Sequence, residues 1–269
     1  MLDMGNITNP YLLAAIGTGF TFLMTTLGAA TIFLFKKEMK QSWQSIFLGF
    51  AAGVMIAASV WSLLIPSMEQ AKDLGMIEWL PAGAGFILGA VFLNVLDKLL
   101  PHLHPGSEEP EGPSSSLKRT SMLVIAVTLH NIPEGMAVGL AFAMSATASG
   151  SISLAAAVAL ALGIGLQNFP EGAAVSLPLQ KEGCSKGKAF LYGSLSGIVE
   201  PIAGIAVVAI TGSATIVMPW LLAFAAGAMV YVVVEELIPE AHFSDHGHAA
   251  TFGFMAGFLI MMIMDVALG

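Results

Sequence analysis

Two copies of one short motif place ionisable and polar side chains in strongly apolar surroundings. The sequence is HNIPEG at residues 130–135 and QNFPEG at residues 167–172. Each copy carries a carboxylate, an amide and a helix-breaking proline within an apolar stretch of chain. Ionisable groups at the depth of a lipid bilayer are costly and are functional candidates by default. Two nearly matching copies on neighbouring segments therefore predict one shared polar site.

The spacing within each copy puts its polar side chains on one face of a helix. His130 lies four residues before Glu134, and Asn131 lies three residues before it. Because Pro133 has no backbone N–H, the carbonyl oxygen of Leu129 is expected to be left free. In hydrocarbon such a carbonyl needs water, a side chain or an ion as its partner. The second copy repeats the arrangement with Gln167, Asn168, Pro170 and Glu171.

A third acid, Glu200, directly precedes Pro201 in another apolar stretch. The carboxylates of Glu134, Glu171 and Glu200 would repel one another strongly in a low dielectric. No Lys or Arg lies within any predicted span, so the neutralising charge must come from protons or metal cations. Imidazole, carboxylate and amide ligands together suit zinc and similar divalent first-row ions. Three carboxylates would hold two such ions if one or two of the acids bridged them.

The composition indicates an integral membrane protein. The chain has 269 residues, of which 56% are hydrophobic and 10% charged, and its mean hydropathy is +0.82. Soluble domains carry about 25% charged residues, so that class is excluded. The single cysteine, Cys184, excludes an intrachain disulfide. No cleavable signal peptide is expected, because no basic stretch precedes a first apolar run that is long enough to span.

Eight apolar stretches are long enough to cross a bilayer, which takes roughly 20 residues per helix. A β-barrel is excluded because these stretches are continuously apolar, whereas barrel strands alternate polar and apolar residues. We expect an all-α membrane protein with a single transmembrane domain over residues 1–269. Residues 101–119, rich in Pro, Gly, Ser and Glu, are expected to form a disordered cytosolic loop between the third and fourth helices. The predicted helices cover residues 10–35, 43–67, 79–100, 120–146, 151–179, 187–211, 215–240 and 247–268.

Basic residues predict the orientation of the chain. Only Lys72 falls on one side of this topology, and the other nine Lys and Arg residues fall on the opposite side. Cytosolic loops carry an excess of basic residues, so the nine mark the cytosol. Both termini are then expected on the non-cytosolic side, in a plasma (inner) membrane. The nine are Lys36, Lys37, Lys40, Lys98, Lys118, Arg119, Lys181, Lys186 and Lys188.

Two sequence echoes predict inverted repeats. The motif copies lie 37 residues apart on consecutive helices, which are therefore antiparallel. Leu-Ile-Pro also ends the second helix at residues 64–66 and recurs near the end of the seventh at residues 237–239. In the predicted topology the second helix runs outward and the seventh runs inward. Repeats of opposite orientation are typical of transporters, whose substrate site lies at the midplane between interrupted helices.

At these motifs the chain resembles the ZIP (Zrt-, Irt-like protein) family of divalent metal transporters. Residues 130–135 match the fourth-helix signature of the family, residues 170–172 its fifth-helix signature, and residues 235–242 the end of its seventh helix. The resemblance covers all eight helices. It implies eight helices in a 3+2+3 arrangement that is often dimeric, so a homodimer is an open expectation. It also implies transport of zinc, iron or manganese into the cytosol, with no catalytic cofactor.

The resemblance further implies a binuclear metal site on the fourth, fifth and sixth helices, bridged by Glu134 and Glu171. One departure concerns Asn168, which stands where some members carry Asp. The loss of that charge is expected to weaken binding of the second ion. The first ion would be held by His130, Glu134, Gln167 and Glu171, and the second site would be completed by Asn131, Asn168 and Glu200.

Acids near the cytosolic helix ends suggest a path for an ion that leaves this site. The resemblance favours Asp97, Glu235 and Glu236 as weak exit ligands, and Glu240 follows about one turn later. Solvated helix ends explain the same acids equally well, so both interpretations stay open.

The favoured function is transport of a divalent metal, with zinc as the cargo and iron, manganese and cadmium as further candidates. The protein is not expected to be an enzyme, because an intramembrane metalloprotease would need a His-Glu-x-x-His motif that the sequence lacks. A transporter or channel whose acids carry protons or another cation is the alternative. The expected partners are divalent metal ions and the lipid bilayer, and no nucleic acid.

Overall fold

Helices form nearly all of the computed structural model. Its described residues contain no strand, which confirms the all-α prediction. Most of the predicted 101–119 loop lies outside the described residues, and its disorder stays a prediction. The described residues are 9–34, 41–101, 113, 119–146, 152–213, 215–242 and 248–268.

Eight helical segments among these residues are long and apolar enough to cross a membrane. Their number and order confirm the prediction of an eight-helix integral membrane protein. The largest difference is in the second span, which continues past Pro66 to Asp73 where the prediction ended it at residue 67. The spans, named α1 to α8, are Pro10–Leu34, Ser42–Asp73, Trp79–Leu99, Val124–Ser145, Leu154–Gln180, Lys186–Gly212, Met218–Ala241 and Ala249–Leu268.

Serine side chains determine where α5 and α6 begin. The hydroxyl oxygen of Ser153 accepts a hydrogen bond from the backbone N–H of Ala156 at 3.0 Å. That of Ser185 accepts from the backbone N–H of Lys188 at 3.5 Å. The first N–H groups of a helix have no partner within it, and a serine at the N-cap supplies one. These caps explain why α5 begins three residues later than predicted.

A wide π-helical turn interrupts α2, and another interrupts α7. The first covers Ser59–Leu64 and the second covers Val233–Leu237, and an Ile-Pro pair follows each. In both cases the N–H of the isoleucine donates to the carbonyl oxygen five residues earlier. Proline crowds the preceding helical turn, and a wider turn there relieves the crowding. The Leu-Ile-Pro echo therefore marks the same backbone feature in both helices.

The helices associate in four close pairs whose members run in the same direction. In the α2–α8 pair, for example, Gly49 and Gly53 face the backbone of Ala250 and Phe254 in that order. Small residues of this kind let helices in a membrane approach closely. The pairs are α1 with α5, α2 with α8, α3 with α7, and α4 with α6. Each joins two odd-numbered or two even-numbered spans, as alternating passage through a membrane requires.

This pairing has an internal symmetry. The spans α1, α2 and α3 correspond in that order to α6, α7 and α8, and α4 corresponds to α5. Under this correspondence the α1–α5 pair becomes the α6–α4 pair. The same correspondence turns the α2–α8 pair into the α7–α3 pair, and it interchanges the two π-helical turns. These relations are those expected of repeats with opposite orientation. The 3+2+3 arrangement itself stays a prediction.

The four pairs form two groups, one of α1, α4, α5 and α6 and the other of α2, α3, α7 and α8. The groups meet where α2 and α8 contact α5 and where α7 contacts α4. Buried apolar side chains, among them Phe142, Met144 and Met229, belong to the main core cluster. Because the two motif copies lie on α4 and α5, they lie on the helices that form this seam.

Replacing Gly257 by Leu should weaken the α2–α8 pair. A Cβ atom at this position would lie 2.1 Å from the carbonyl oxygen of Phe50, so one helix must shift. We expect a destabilisation of about 1–3 kcal/mol, measured as a lower thermal midpoint of the purified protein. Gly83→Leu on α3 is the matched control, because a Cβ there meets no neighbouring group of the described residues within 4 Å. Equal midpoints for the two variants would contradict this packing.

Candidate metal centre

The helices that carry the two motif copies continue through their prolines. Pro133 lies inside the helix Arg119–Ser145, and Pro170 lies inside the helix Leu154–Lys181. The polar residues of each copy therefore keep the three- and four-residue spacing that predicted a common face.

A cleft lies against both motif copies and has a volume of about 660 Å³, counting the space that opens to solvent. His130 and Glu134 line it from α4, and Gln167 and Glu171 line it from α5. The structure thus brings together the four residues that were predicted to hold the first ion. The opposite wall comes from α2 and α7 and includes Gln44, Met55, Leu237 and Glu240.

The amide side chains of the motifs use their nitrogen atoms within the protein. Nδ2 of Asn131 donates to the backbone carbonyl oxygen of Ser196 at 3.0 Å. Nε2 of Gln167 donates to Oε1 of Glu134 at 2.5 Å. Both partners are acceptors only, so each amide must turn its NH2 group toward them. The carbonyl oxygen of each amide consequently points elsewhere.

Five oxygen atoms of the two motif copies are buried and have no hydrogen-bond partner among the described residues. A buried polar atom left without a partner costs about 1–3 kcal/mol. Oxygen atoms of carboxylates and amides are ligands for hard and borderline divalent cations. The chemistry of these oxygen atoms therefore suits a divalent cation. The five atoms are Oδ1 of Asn131, Oε2 of Glu134, Oε1 of Gln167, Oδ1 of Asn168 and Oε1 of Glu171.

The acids around these oxygens repel one another. The carboxylate of Glu134 interacts unfavourably with those of Glu171 and Glu200, and Glu171 interacts in the same way with Glu200, Glu236 and Glu240. The sequence has no Lys or Arg at residues 120–180, so neither residue type of α4 or α5 lies between the acids. Like charges in a low dielectric are costly unless a counter-charge lies between them.

His130 contacts an acid of another helix instead of the acid of its own motif. Its Nε2 atom contacts the carboxylate of Glu236 on α7. Within the described part of the chain, no three His, Cys, Asp or Glu side chains are arranged to hold a metal ion. The cleft instead combines the acids Glu134 and Glu171 with amide oxygens, and His130 must leave Glu236 before its Nε2 can bind a metal.

Glu200 lies behind this cleft and does not line it. It is fully buried in the first turn of the helix Val199–Ser213, which follows a break in α6. Nδ2 of Asn168 donates to both Oε1 and Oε2 of Glu200, at 3.0 Å in each case. The hydroxyl of Thr25 on α1 donates to Oε1 at 3.3 Å. Two residues predicted for the second ion are thus hydrogen-bonded to each other.

The predicted exit acids fall into two groups. Glu236 is buried beside His130, and Glu240 lines the cleft. Asp97 and Glu235 instead lie near the hydroxyl of Tyr231. The same hydroxyl accepts a hydrogen bond from Nδ2 of Asn94 at 3.1 Å. Only the first group adjoins the motif residues.

The contribution of α1 was missed from the sequence. Thr25 donates to Glu200, and the backbone carbonyl oxygen of Thr21 accepts from Asn168 at 3.4 Å. The available signal was a stripe of threonines at residues 18, 21 and 25, whose spacing puts them on one face of an otherwise apolar helix.

Three relatives resemble the chain over nearly its whole length. The zinc transporter ZIP11 of Homo sapiens is 38% identical, over 95% of this chain and 97% of its own. The zinc transporter GufA of Myxococcus xanthus is 37% identical, over 91% and 94%. The zinc transporter ZIPB of Bordetella bronchiseptica is 37% identical, over 95% and 81%.

The model of the ZIP zinc transporter family matches residues 9–121 and 107–265 of the chain. These two segments together contain the first seven spans, most of α8 and both motif copies. The eight helices, the paired motif and these similarities together show that the chain belongs to the ZIP zinc transporter family.

Proposed function

We propose that this protein carries zinc across the membrane through the cleft at the two motif copies and is not an enzyme. The observation that carries the proposal is that Glu134, Gln167 and Glu171, which line the cleft, each have a buried oxygen without a hydrogen-bond partner among the described residues. The names of the similar proteins make zinc the first candidate cargo. Iron, manganese and cadmium are further candidates, because imidazole, carboxylate and amide ligands also suit other divalent transition ions.

Charge matching explains how the site would bind such an ion. A hydrated ion that enters the cleft exchanges water for oxygens of Glu134, Glu171 and Gln167, which are buried or half-buried. Its two positive charges offset the two carboxylates that repel each other without it. An ion pair buried in a low dielectric is favourable only when the remaining ligand atoms are also satisfied, which the amide oxygen helps to achieve.

His130 gives this site a means of releasing its ion. Its imidazole has two candidate partners, the bound ion and the carboxylate of Glu236. When the ion leaves Nε2 of His130, this nitrogen takes up a proton from water in the cleft and donates it to the carboxylate of Glu236 in a hydrogen bond, and binding of the next ion releases that proton again. Glu240, further along the same helix, supplies the next oxygen ligand on the way out.

The shape of the cleft supports release into the cytosol. Its lining includes Gln44, near the beginning of α2, and Glu240, near the end of α7. The excess of basic residues predicts that both of these helix ends face the cytosol. We propose a plasma (inner) membrane location with both termini on the non-cytosolic side, and a homodimer stays a prediction from the family.

Removal of either of two motif side chains should slow zinc uptake strongly. We expect reconstituted Glu134→Ala and His130→Ala proteins to take up zinc and cadmium at least about tenfold more slowly than the parent, because even outer-shell changes cost a metal site about 10–100-fold. The measurement is metal-dependent uptake by proteoliposomes at equal protein density. Glu182→Ala, an exposed acid after α5, is the control and should transport normally.

The same vesicles test the alternative in which the acids carry protons or another cation. Vesicles that contain the parent protein and transport protons, but neither zinc nor cadmium, would favour that alternative. Variants that take up zinc as fast as the parent would exclude the proposed site.

Labelling of single cysteines should report the orientation. In a Cys184→Ala background, Asp73→Cys at the end of α2 should react with a membrane-impermeant maleimide in intact cells. Lys188→Cys, at the start of α6, should react only after permeabilisation, because the basic loops are expected in the cytosol. Both positions are exposed, so burial does not limit the reaction. Labelling of Lys188→Cys in intact cells would reverse the proposed orientation.

A further inference from the structure

The amide of Asn168 lies where a cation bridging the oxygens of Glu200 would lie. Its nitrogen is 3.0 Å from both oxygens of that carboxylate. A zinc ion bound by a carboxylate lies about 2.0–2.2 Å from its oxygens, in the same region in front of the carboxylate. One NH2 group thus replaces the positive charge that would otherwise attract both oxygens.

The backbone around Glu200 leaves little space for anything else. A Cβ atom at Gly135 would lie 2.4 Å from the Cα atom of Glu200, so α4 and α6 are in close contact at this point. On the other side, a Cβ atom at Gly197 would lie 3.1 Å from the side chain of Thr25. Glu200 and Asn168 are both fully buried, and neither lines the cleft.

The identity of residue 168 determines which chemistry is possible here. An aspartate offers acceptors only, so opposite Glu200 it would face a second carboxylate and need a cation between them. Asparagine offers two N–H donors of its own and satisfies the carboxylate without an ion. The hydroxyl of Thr25 supplies a further donor to Oε1 of Glu200.

We propose that Glu200 is not a metal ligand in this protein but anchors the amide of Asn168, so the centre binds one divalent ion instead of two. The proposal rests on the proposed metal site at Glu134 and Glu171. Glu200 is then a positioning residue: it holds the nitrogen of Asn168 and leaves Oδ1 as the amide atom without a hydrogen-bond partner among the described residues. Asn131 has the same arrangement, with Ser196 as its anchor.

The number of zinc ions bound by the purified full-length protein tests this inference. Equilibrium dialysis against buffered Zn²⁺, followed by metal analysis, should give one ion per chain for the parent and for Glu200→Gln. Asn168→Asp should raise the number to two, because two facing carboxylates create the second position. The double variant Asn168→Asp/Glu200→Gln should return to one ion, a result that a merely structural role of Glu200 would not produce.

Each outcome decides between the two arrangements. Two ions in the parent, or one ion in an Asn168→Asp protein with parental thermal stability, would overturn the inference and leave the transport proposal intact. If Asn168→Asp does not fold, the counts for the parent and Glu200→Gln still decide, since a loss of one ion in Glu200→Gln would make Glu200 a ligand. A parent that binds no zinc would overturn the proposed transport site itself.

Discussion

The structure depends on one electrostatic constraint, which is the excess of negative charge and unpaired oxygen at the centre of an apolar bundle. Glu134 and Glu171 repel each other, and the motif amides add oxygens that have no partner among the described residues. No Lys or Arg of α4 or α5 lies between the acids to compensate their charge. Such a centre is tolerable only if the surrounding backbone is held rigidly and if the missing charge can enter from outside.

The packing of the helices supplies that rigidity. Parallel pairs with glycine at their contacts bring backbone against backbone, so the acids are held by whole helices and not by loops. Gly135 shows how this works locally, because it belongs to the motif and also lets the backbone of Glu200 approach α4. The same residue therefore serves the chemistry of one helix and the packing of another. The site also lies on the helices that join two groups of spans, where a relative movement would change access to it.

Much of this fold could be predicted from the sequence, because its strongest signals are local. Apolar run length determined the number of spans, and the three- and four-residue spacing determined which motif residues share a face. The partner of His130 could not be predicted, since it depends on how α7 is rotated against α4. The role of Asn168 was equally hidden, because an amide is both donor and acceptor and only its neighbours decide which of its atoms is hydrogen-bonded. Thr25 was missed because a hydroxyl in an apolar helix most often bonds to its own backbone, as Thr18 does.

In the π-helical turn of α7, the number of residues determines which acid lies beside His130. An α-helix rotates by about 100° per residue, and a π turn contains one residue more than an α turn. The turn Val233–Leu237 therefore shifts the rotational phase of everything after it, without changing the helix before it. It contains two adjacent acids that diverge, with Glu236 directed to His130 and Glu235 exposed. The insertion of a single residue just before Glu235 would bring Glu235 to the rotational position beside His130 that Glu236 now occupies, so this contact depends on residue count as well as on residue type.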